Sequence, residues 1–105
     1  MLSHAIIVND NFIVSQKIEH IYDGDITVDC NAIMKAFMES RTSEITGGTL
    51  FATGCPGLNE ASMIIAAMLN KVVFTREPAN SDEMCALELL KERNIEIVLN
   101  PNIIL

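Results

Sequence analysis

The chain of 105 residues has few basic residues, and none of its three cysteines stands in a CxxC pair. Seven Lys and Arg against fourteen Asp and Glu give it a net charge of −7. A surface this acidic repels phosphate backbones, which argues against general binding to DNA or RNA. An odd number of cysteines without CxxC spacing argues against structural disulfides and favours free thiols.

The chain also lacks a long apolar run, a leader pattern, repeats and low-complexity tracts. Its longest strongly apolar run, Ala61 to Leu69, is far shorter than the roughly 20 residues that cross a bilayer. The first residues have no basic segment and quickly become strand-like, so no signal peptide is predicted. We therefore expect one cytoplasmic domain over residues 1–105 with no membrane partner.

Half of the residues are apolar and a fifth are charged, which is typical of a packed domain. Their periodicity predicts the order β-β-α-β-α-β-α-β, an α/β sandwich in which a hairpin precedes strands that run parallel. The predicted strands are Ala5–Val8, Phe12–Ser15, Thr49–Thr53, Lys71–Thr75 and Ile95–Leu99. The predicted helices are Cys30–Ser40, a second from Asn59 or Glu60 to Leu69, and a third from the cap Asn80 to Arg93.

Some local details follow from the same patterns. Residues 16–25 are polar and predict an irregular segment. Asp29 precedes the first helix as a plausible N-cap. Glu83 stands three residues after Asn80, which is the spacing of a capping box. In the third helix we expect Leu87, Leu90 and either Cys85 or Ala86 to point inward.

Several segments, in order, resemble the cytidine and deoxycytidylate deaminase family. Asn31-Ala32-Ile33 is similar to the end of the family's His-Ala-Glu-x-Asn-Ala-Ile helix start. Thr49-Leu50-Phe51-Ala52-Thr53 is similar to the Thr-Leu-Tyr-Val-Thr strand before its Pro-Cys-x-x-Cys turn. Lys71–Phe74 is similar to the strand after that turn, and Leu89–Ile97 resembles the Leu-Leu…Gly-Ile-Glu-Val ending of the deoxycytidylate branch. The resemblance implies a cytidine deaminase-like three-layer sandwich with a five-stranded mixed sheet, here without the family's usual N-terminal helix.

The family binds catalytic zinc through one His and two Cys at two helix N-termini and moves protons with a Glu. On this resemblance the His position is Thr27, the proton-shuttle position is Asp29, and the Cys positions are Gly57 and Glu60. The Asn that family members use after the second strand falls near Glu19. Thr is a poor zinc ligand and Gly has no side chain. The resemblance therefore implies a degenerate member that holds neither zinc nor another cofactor.

The favoured function is a catalytically inactive domain that acts through self-association or a protein partner. The second helix is strongly apolar, whereas a lone domain needs an apolar stripe of only about 100° on such a helix. Methionine offers adaptable surface for an interface, and family members commonly assemble through these two helices. The expected interface residues are Met34, Met38, Met63, Ala67 and Met68.

Two alternatives stay open. In the first, the pocket that corresponds to the family's active site binds a nucleoside or nucleotide but catalyses no reaction. Alternatively the chain is an enzyme, either a residual (deoxy)cytidylate-type deaminase or one that uses Asp29 as base and Cys55 as nucleophile. A metal or redox pair of Cys30 with Cys55 is less favoured than core and turn roles for them. His4 and His20 are expected at a strand edge and in a loop rather than as ligands.

Overall fold

Five strands form one mixed sheet in the order β2-β1-β3-β4-β5. The structure is a computed structural model that describes residues 2–9, 12–20, 33, 37 and 45–102. The strands are β1 (Leu2–Asn9), β2 (Phe12–His20), β3 (Thr49–Ala52), β4 (Lys71–Phe74) and β5 (Glu96–Leu99). The helices with described bounds are α1 (Leu58–Ala66) and α2 (Ser81–Glu92). The predicted order is confirmed for these seven elements; the first predicted helix falls mostly outside the described residues.

The first two strands pair antiparallel, as the predicted hairpin requires, but both are longer than predicted. Pairing runs from Leu2 opposite His20 to Asn9 opposite Phe12, with a shift in register between Ile7 and Val8. The prediction that residues 16–20 are irregular is wrong. They are polar in sequence, but β2 is an edge strand, and backbone pairing with β1 holds them extended despite a weak local signal.

The other three strands form the parallel half of the sheet. β3 lies antiparallel to β1, and β4 and β5 follow it in parallel register. Right-handed crossovers between neighbouring parallel strands place both connecting helices on one face of the sheet. There α1 and α2 pack against each other.

The core lies between that face and the helices. Alternate strand residues, which share one face of a sheet, are buried in it: Ala5, Ile7, Leu50, Ala52, Val72 and Phe74. Ala61 and Ile64 of α1 and Ala86 and Leu90 of α2 pack on them. Ile33 and Phe37 are helical and buried in the same cluster. These two positions agree with the predicted first helix, whose other residues lie outside the described part of the chain.

The structure corrects the end of α1. The prediction continued the helix to Leu69, but it ends at Ala66, with Ala67 as C-cap. Met68 then takes a left-handed conformation with φ of 59°, which turns the chain toward β4. Periodicity did not reveal this end, because the residues after Ala66 are as apolar as those within the helix.

The start of α2 agrees with the prediction. The Asn80 side chain accepts a hydrogen bond from the backbone N–H of Glu83 at 2.9 Å. The Glu83 carboxylate in turn accepts one from the Ala79 N–H at 2.8 Å, one residue before the cap itself. Ala86, not Cys85, is the inward residue, and Cys85 is exposed. Within the described ranges, no helix is long and apolar enough to cross a bilayer.

Candidate functional site

The N-terminus of α1 is the candidate site. It follows the carboxyl end of β3, and in α/β sheets the carboxyl ends of parallel strands are where ligands bind. Residues 53–57 make the turn, and Gly57 is the N-cap with an extended backbone. The first backbone N–H groups of a helix have no partner within the helix, so they must find acceptors elsewhere.

The Glu60 carboxylate supplies one of these acceptors. Its Oε1 accepts a hydrogen bond from the Gly57 N–H at 2.9 Å, and the residue is only 4 % exposed. This is one half of a capping box; glycine has no side chain to make the other half. Glu60, which stands at a family Cys position, is therefore a buried helix cap.

Asp82 supplies a second acceptor from the neighbouring helix. Its Oδ2 accepts a hydrogen bond from the Leu58 N–H at 3.2 Å. A Cβ on Gly57 would lie 2.6 Å from this Oδ2 and 2.9 Å from Glu60 Oε1. The two carboxylates thus fill the space that a side chain at position 57 would need. Nothing in the local sequence indicated Asp82, because its role depends on how α2 packs beside α1.

The described residues at the family's Cys positions, Gly57 and Glu60, do not fit catalytic zinc. Such a site takes three protein ligands and leaves a position for water. Gly57 offers no donor atom, and one oxygen of Glu60 already accepts a backbone hydrogen bond. In the part of the chain with described side chains, no three His, Cys, Asp or Glu residues are grouped to hold a metal ion. Thr27 and Asp29, which stand at the family's His and proton-shuttle positions, lie outside the described residues.

Cys55 lies within this turn but faces the core. It is 3 % exposed and belongs to the buried apolar cluster. Its thiol lies 3.6 Å from the Pro56 carbonyl oxygen. A nucleophilic cysteine needs an accessible thiolate, so this burial agrees with a structural role and not with the nucleophile hypothesis. Its suggested partner, Cys30, lies outside the described residues.

The two histidines lie elsewhere than the sequence suggested. His4 lies within β1, which begins at Leu2, and not at the edge of that strand. Its backbone N–H donates to the Thr53 hydroxyl at 3.1 Å, while its Nε2 is buried with no hydrogen-bond partner among the described atoms. His20 ends β2 and is not in a loop. Glu19 also lies in β2, and its side chain is not described.

The expected interface residues divide into three groups. Met68 is 66 % exposed. Met63 is half-buried against the core, and Ala67 is buried within it, so Ala67 is a core residue and not a surface one. Met34 and Met38 lie outside the described residues. On α1 and α2 the structure adds two exposed apolar side chains that the sequence did not single out, Leu58 and Met84.

No protein-family model matches this sequence, and no curated protein is significantly similar to it. Solved structures do match. RibD of Acinetobacter baumannii superimposes with a TM-score of 0.71 at 19 % identity, over 92 % of this chain and 28 % of that one. The diaminohydroxyphosphoribosylaminopyrimidine deaminase/5-amino-6-(5-phosphoribosylamino)uracil reductase of Thermotoga maritima gives a TM-score of 0.67 at 25 % identity, over 92 % and 29 %. This chain therefore spans less than a third of those proteins.

A shorter protein is matched over most of its own length. The dCMP deaminase of cyanophage S-TIM5 superimposes with a TM-score of 0.67 at 22 % identity, over 92 % of this chain and 79 % of that one. The same enzyme was also solved in complex with dCMP and dUMP, and that structure matches equally well, with a TM-score of 0.67. These similarities agree with the resemblance read from the sequence. The chain has the cytidine deaminase-like fold.

Proposed function

We propose that this chain is a deaminase-fold domain that does not carry out zinc-dependent deamination and acts by associating with a second copy of itself. The observation that supports the first part is the N-terminus of α1. There Glu60 and Asp82 accept hydrogen bonds from the backbone N–H groups of Gly57 and Leu58. Two positions at which the resemblance expects zinc thiolates carry a glycine and a capping carboxylate instead.

The chemistry of deamination explains why this substitution matters. Zinc deaminases attack the base with a metal-activated water, and the metal lowers the pKa of that water to about 7. Carboxylate oxygens favour magnesium or calcium over zinc. A helix start whose N–H groups already bind the chain's own carboxylates has also lost donors that would otherwise face an anionic ligand.

The second part is supported by the exposed apolar side chains of the helical layer. Leu58 at the start of α1, Met68 after its end and Met84 in α2 are 38 %, 66 % and 58 % exposed. Methionine side chains adapt to irregular partner surfaces. Asn59 and Ser62 of α1 are also exposed. The surface therefore carries polar groups as well and is less apolar than a domain core.

Three measurements on the full chain test this proposal. Mass spectrometry of purified protein should find far less than one zinc per chain, and an assay with dCMP should detect no dUMP. Sedimentation at micromolar concentration should give a dimer or larger species. One tightly bound zinc per chain, or turnover of dCMP, would contradict the first part. A strict monomer would contradict the second.

A second candidate function is nucleotide binding without turnover. It is favoured by the similar dCMP deaminase that was solved with dCMP and dUMP bound. The carboxylates of Glu60 and Asp82 at the α1 start argue against a phosphate at that place. Calorimetry with cytidine, dCMP and dUMP tests this candidate. If none of the three compounds gives measurable binding heat, nucleotide binding is refuted.

A further inference from the structure

A cavity of about 370 Å³ lies at the end of the sheet where the parallel strands begin. Gly48, Asn70 and Ile95 immediately precede β3, β4 and β5, and the last two line the cavity. Its apolar lining consists of Ile65, Met68, Leu69 and Ile95. The candidate deaminase site is at the opposite end of these strands, so the cavity is a separate feature.

Three helix-to-strand turns frame the cavity, each with one residue in the left-handed conformation. Gly47, Met68 and Asn94 have φ of 81°, 59° and 61°. Backbone hydrogen bonds join the turns: Gly47 N–H donates to the Met68 carbonyl at 2.8 Å, and Asn70 N–H donates to the Gly48 carbonyl at 2.9 Å. The frame of the cavity is therefore built into the fold and does not need a ligand to form.

Met68 is an unusual residue for its position. Residues in the left-handed conformation after a helix are most often Gly, sometimes Asn, and Asn94 fills the matching position after α2. A methionine there is strained relative to glycine, and such strain is concentrated at ligand-binding and switch positions. In this chain it places an exposed apolar side chain at the cavity.

The charge of the cavity is opposite to that of the chain. Arg93 is the one charged residue among the described side chains that line it, and Asn70 and Asn94 add neutral polar groups. No carboxylate within the described ranges forms an ion pair with Arg93. Several final carbonyls of both helices accept backbone N–H groups, among them Ile64, Ile65, Leu90 and Lys91. These carbonyl oxygens are therefore less available to bind a cationic ligand.

We propose that this cavity binds a small organic carboxylate. Pockets of roughly 300–1,000 Å³ with an apolar lining and a few polar groups are typical small-molecule sites, and this one lies at the small end of that range. The apolar body of the ligand packs on Ile65, Met68 and Ile95. The carboxylate pairs with the Arg93 guanidinium, which favours planar, bidentate recognition of such groups.

The test uses 4-phenylbutyrate and its uncharged amide, 4-phenylbutyramide, titrated into the 15N-labelled full chain. The acid should produce saturable shifts of amide signals in residues 46–47, 65–70 and 93–95. It should bind at least about tenfold more tightly than the amide, since a charge-assisted hydrogen bond distinguishes them. In the variant Arg93→Gln the acid and the amide should bind equally.

Lys91→Gln is the matched control, because it removes the same charge at the C-terminal end of α2, two residues before Arg93. It should keep the preference for the acid. Circular dichroism of Arg93→Gln checks that α2 is intact, since a cation near a helix C-terminus also stabilises the helix. Absence of saturable shifts, shifts elsewhere in the chain, or an unchanged preference for the acid in Arg93→Gln would each overturn the proposal. These results are independent of zinc content.

Discussion

The Asp82 carboxylate in the first turn of α2 accepts a hydrogen bond from the backbone N–H of Leu58, the first residue of α1. One helix thus caps the start of its neighbour. The bond joins residues far apart in sequence and adds to the Glu60 cap on Gly57. Together they explain why the N-cap of α1 is a residue with no side chain: a Cβ on Gly57 would clash with the two carboxylates.

Asp82→Ala should lower the free energy of unfolding by about 1 kcal/mol, the usual cost of losing an N-cap acceptor. Asp82→Asn keeps an acceptor oxygen and should lose less. Urea denaturation measures both. Glu88→Ala removes a negative charge from an exposed position of the same helix and should change stability by about 0.5 kcal/mol at most. Equal losses in Asp82→Ala and Glu88→Ala would mean that the cap contributes nothing.

Glu60→Ala should be more damaging, because it leaves the buried Gly57 N–H without its acceptor. Leaving a buried donor unpaired costs about 1–3 kcal/mol. Glu60→Gln retains a side-chain oxygen of similar reach and should stay closer to the native stability. Thermal and urea unfolding compare the two variants. If Gln proved as damaging as Ala, the charge of Glu60 and not its hydrogen bond would be the important feature.

Gly57→Ala should destabilise the chain by displacing both carboxylates from their caps, at a cost of about 1–2 kcal/mol. The same change in an Asp82→Ala, Glu60→Ala background should cost much less, since the atoms that clash are gone. A double-mutant cycle measures this difference. Strict additivity would show that a methyl group at position 57 is limited by something other than the two carboxylates.

Met68→Gly should stabilise the chain relative to Met68→Ala by about 1 kcal/mol, because alanine keeps the left-handed strain that glycine lacks. The comparison with alanine removes the effect of losing the exposed side chain. Both variants also lose the apolar contact at the cavity, so each should weaken binding of 4-phenylbutyrate. If glycine and alanine gave equal stability, position 68 would not be strained.

Cys85 should react with thiol reagents faster than Cys55, since Cys85 is exposed and Cys55 is buried. Modification of Cys55 should await local or global opening of the fold. Peptide mapping by mass spectrometry after short labelling distinguishes the two sites, and Cys85→Ala should remove the fast signal from its peptide. Equal rates at Cys55 and Cys85 would make Cys55 a candidate nucleophile again.

Local patterns predicted the elements whose signals are local. The Asn80 and Glu83 pair marked the start of α2 because an N-cap depends on residues three positions apart. The third strand was predicted at Thr49–Thr53 and spans Thr49–Ala52. Residues 16–20 were missed, because their extended conformation depends on pairing with β1. The end of α1 was missed because Met68 gives no sign in sequence that it leaves the helix.

The sequence by itself determined the α/β order of elements, the acidic charge and the absence of side-chain ligands at Gly57. Each of these depends on residue type or on short-range spacing. Only the tertiary structure decided which side chains occupy this place at the start of α1. Glu60 becomes buried there, and Asp82 reaches Leu58 only once α2 packs beside α1. The tertiary structure also decided that three turns far apart in the chain lie together at the cavity that Arg93 lines. They do so because the parallel strands begin side by side at one end of the sheet.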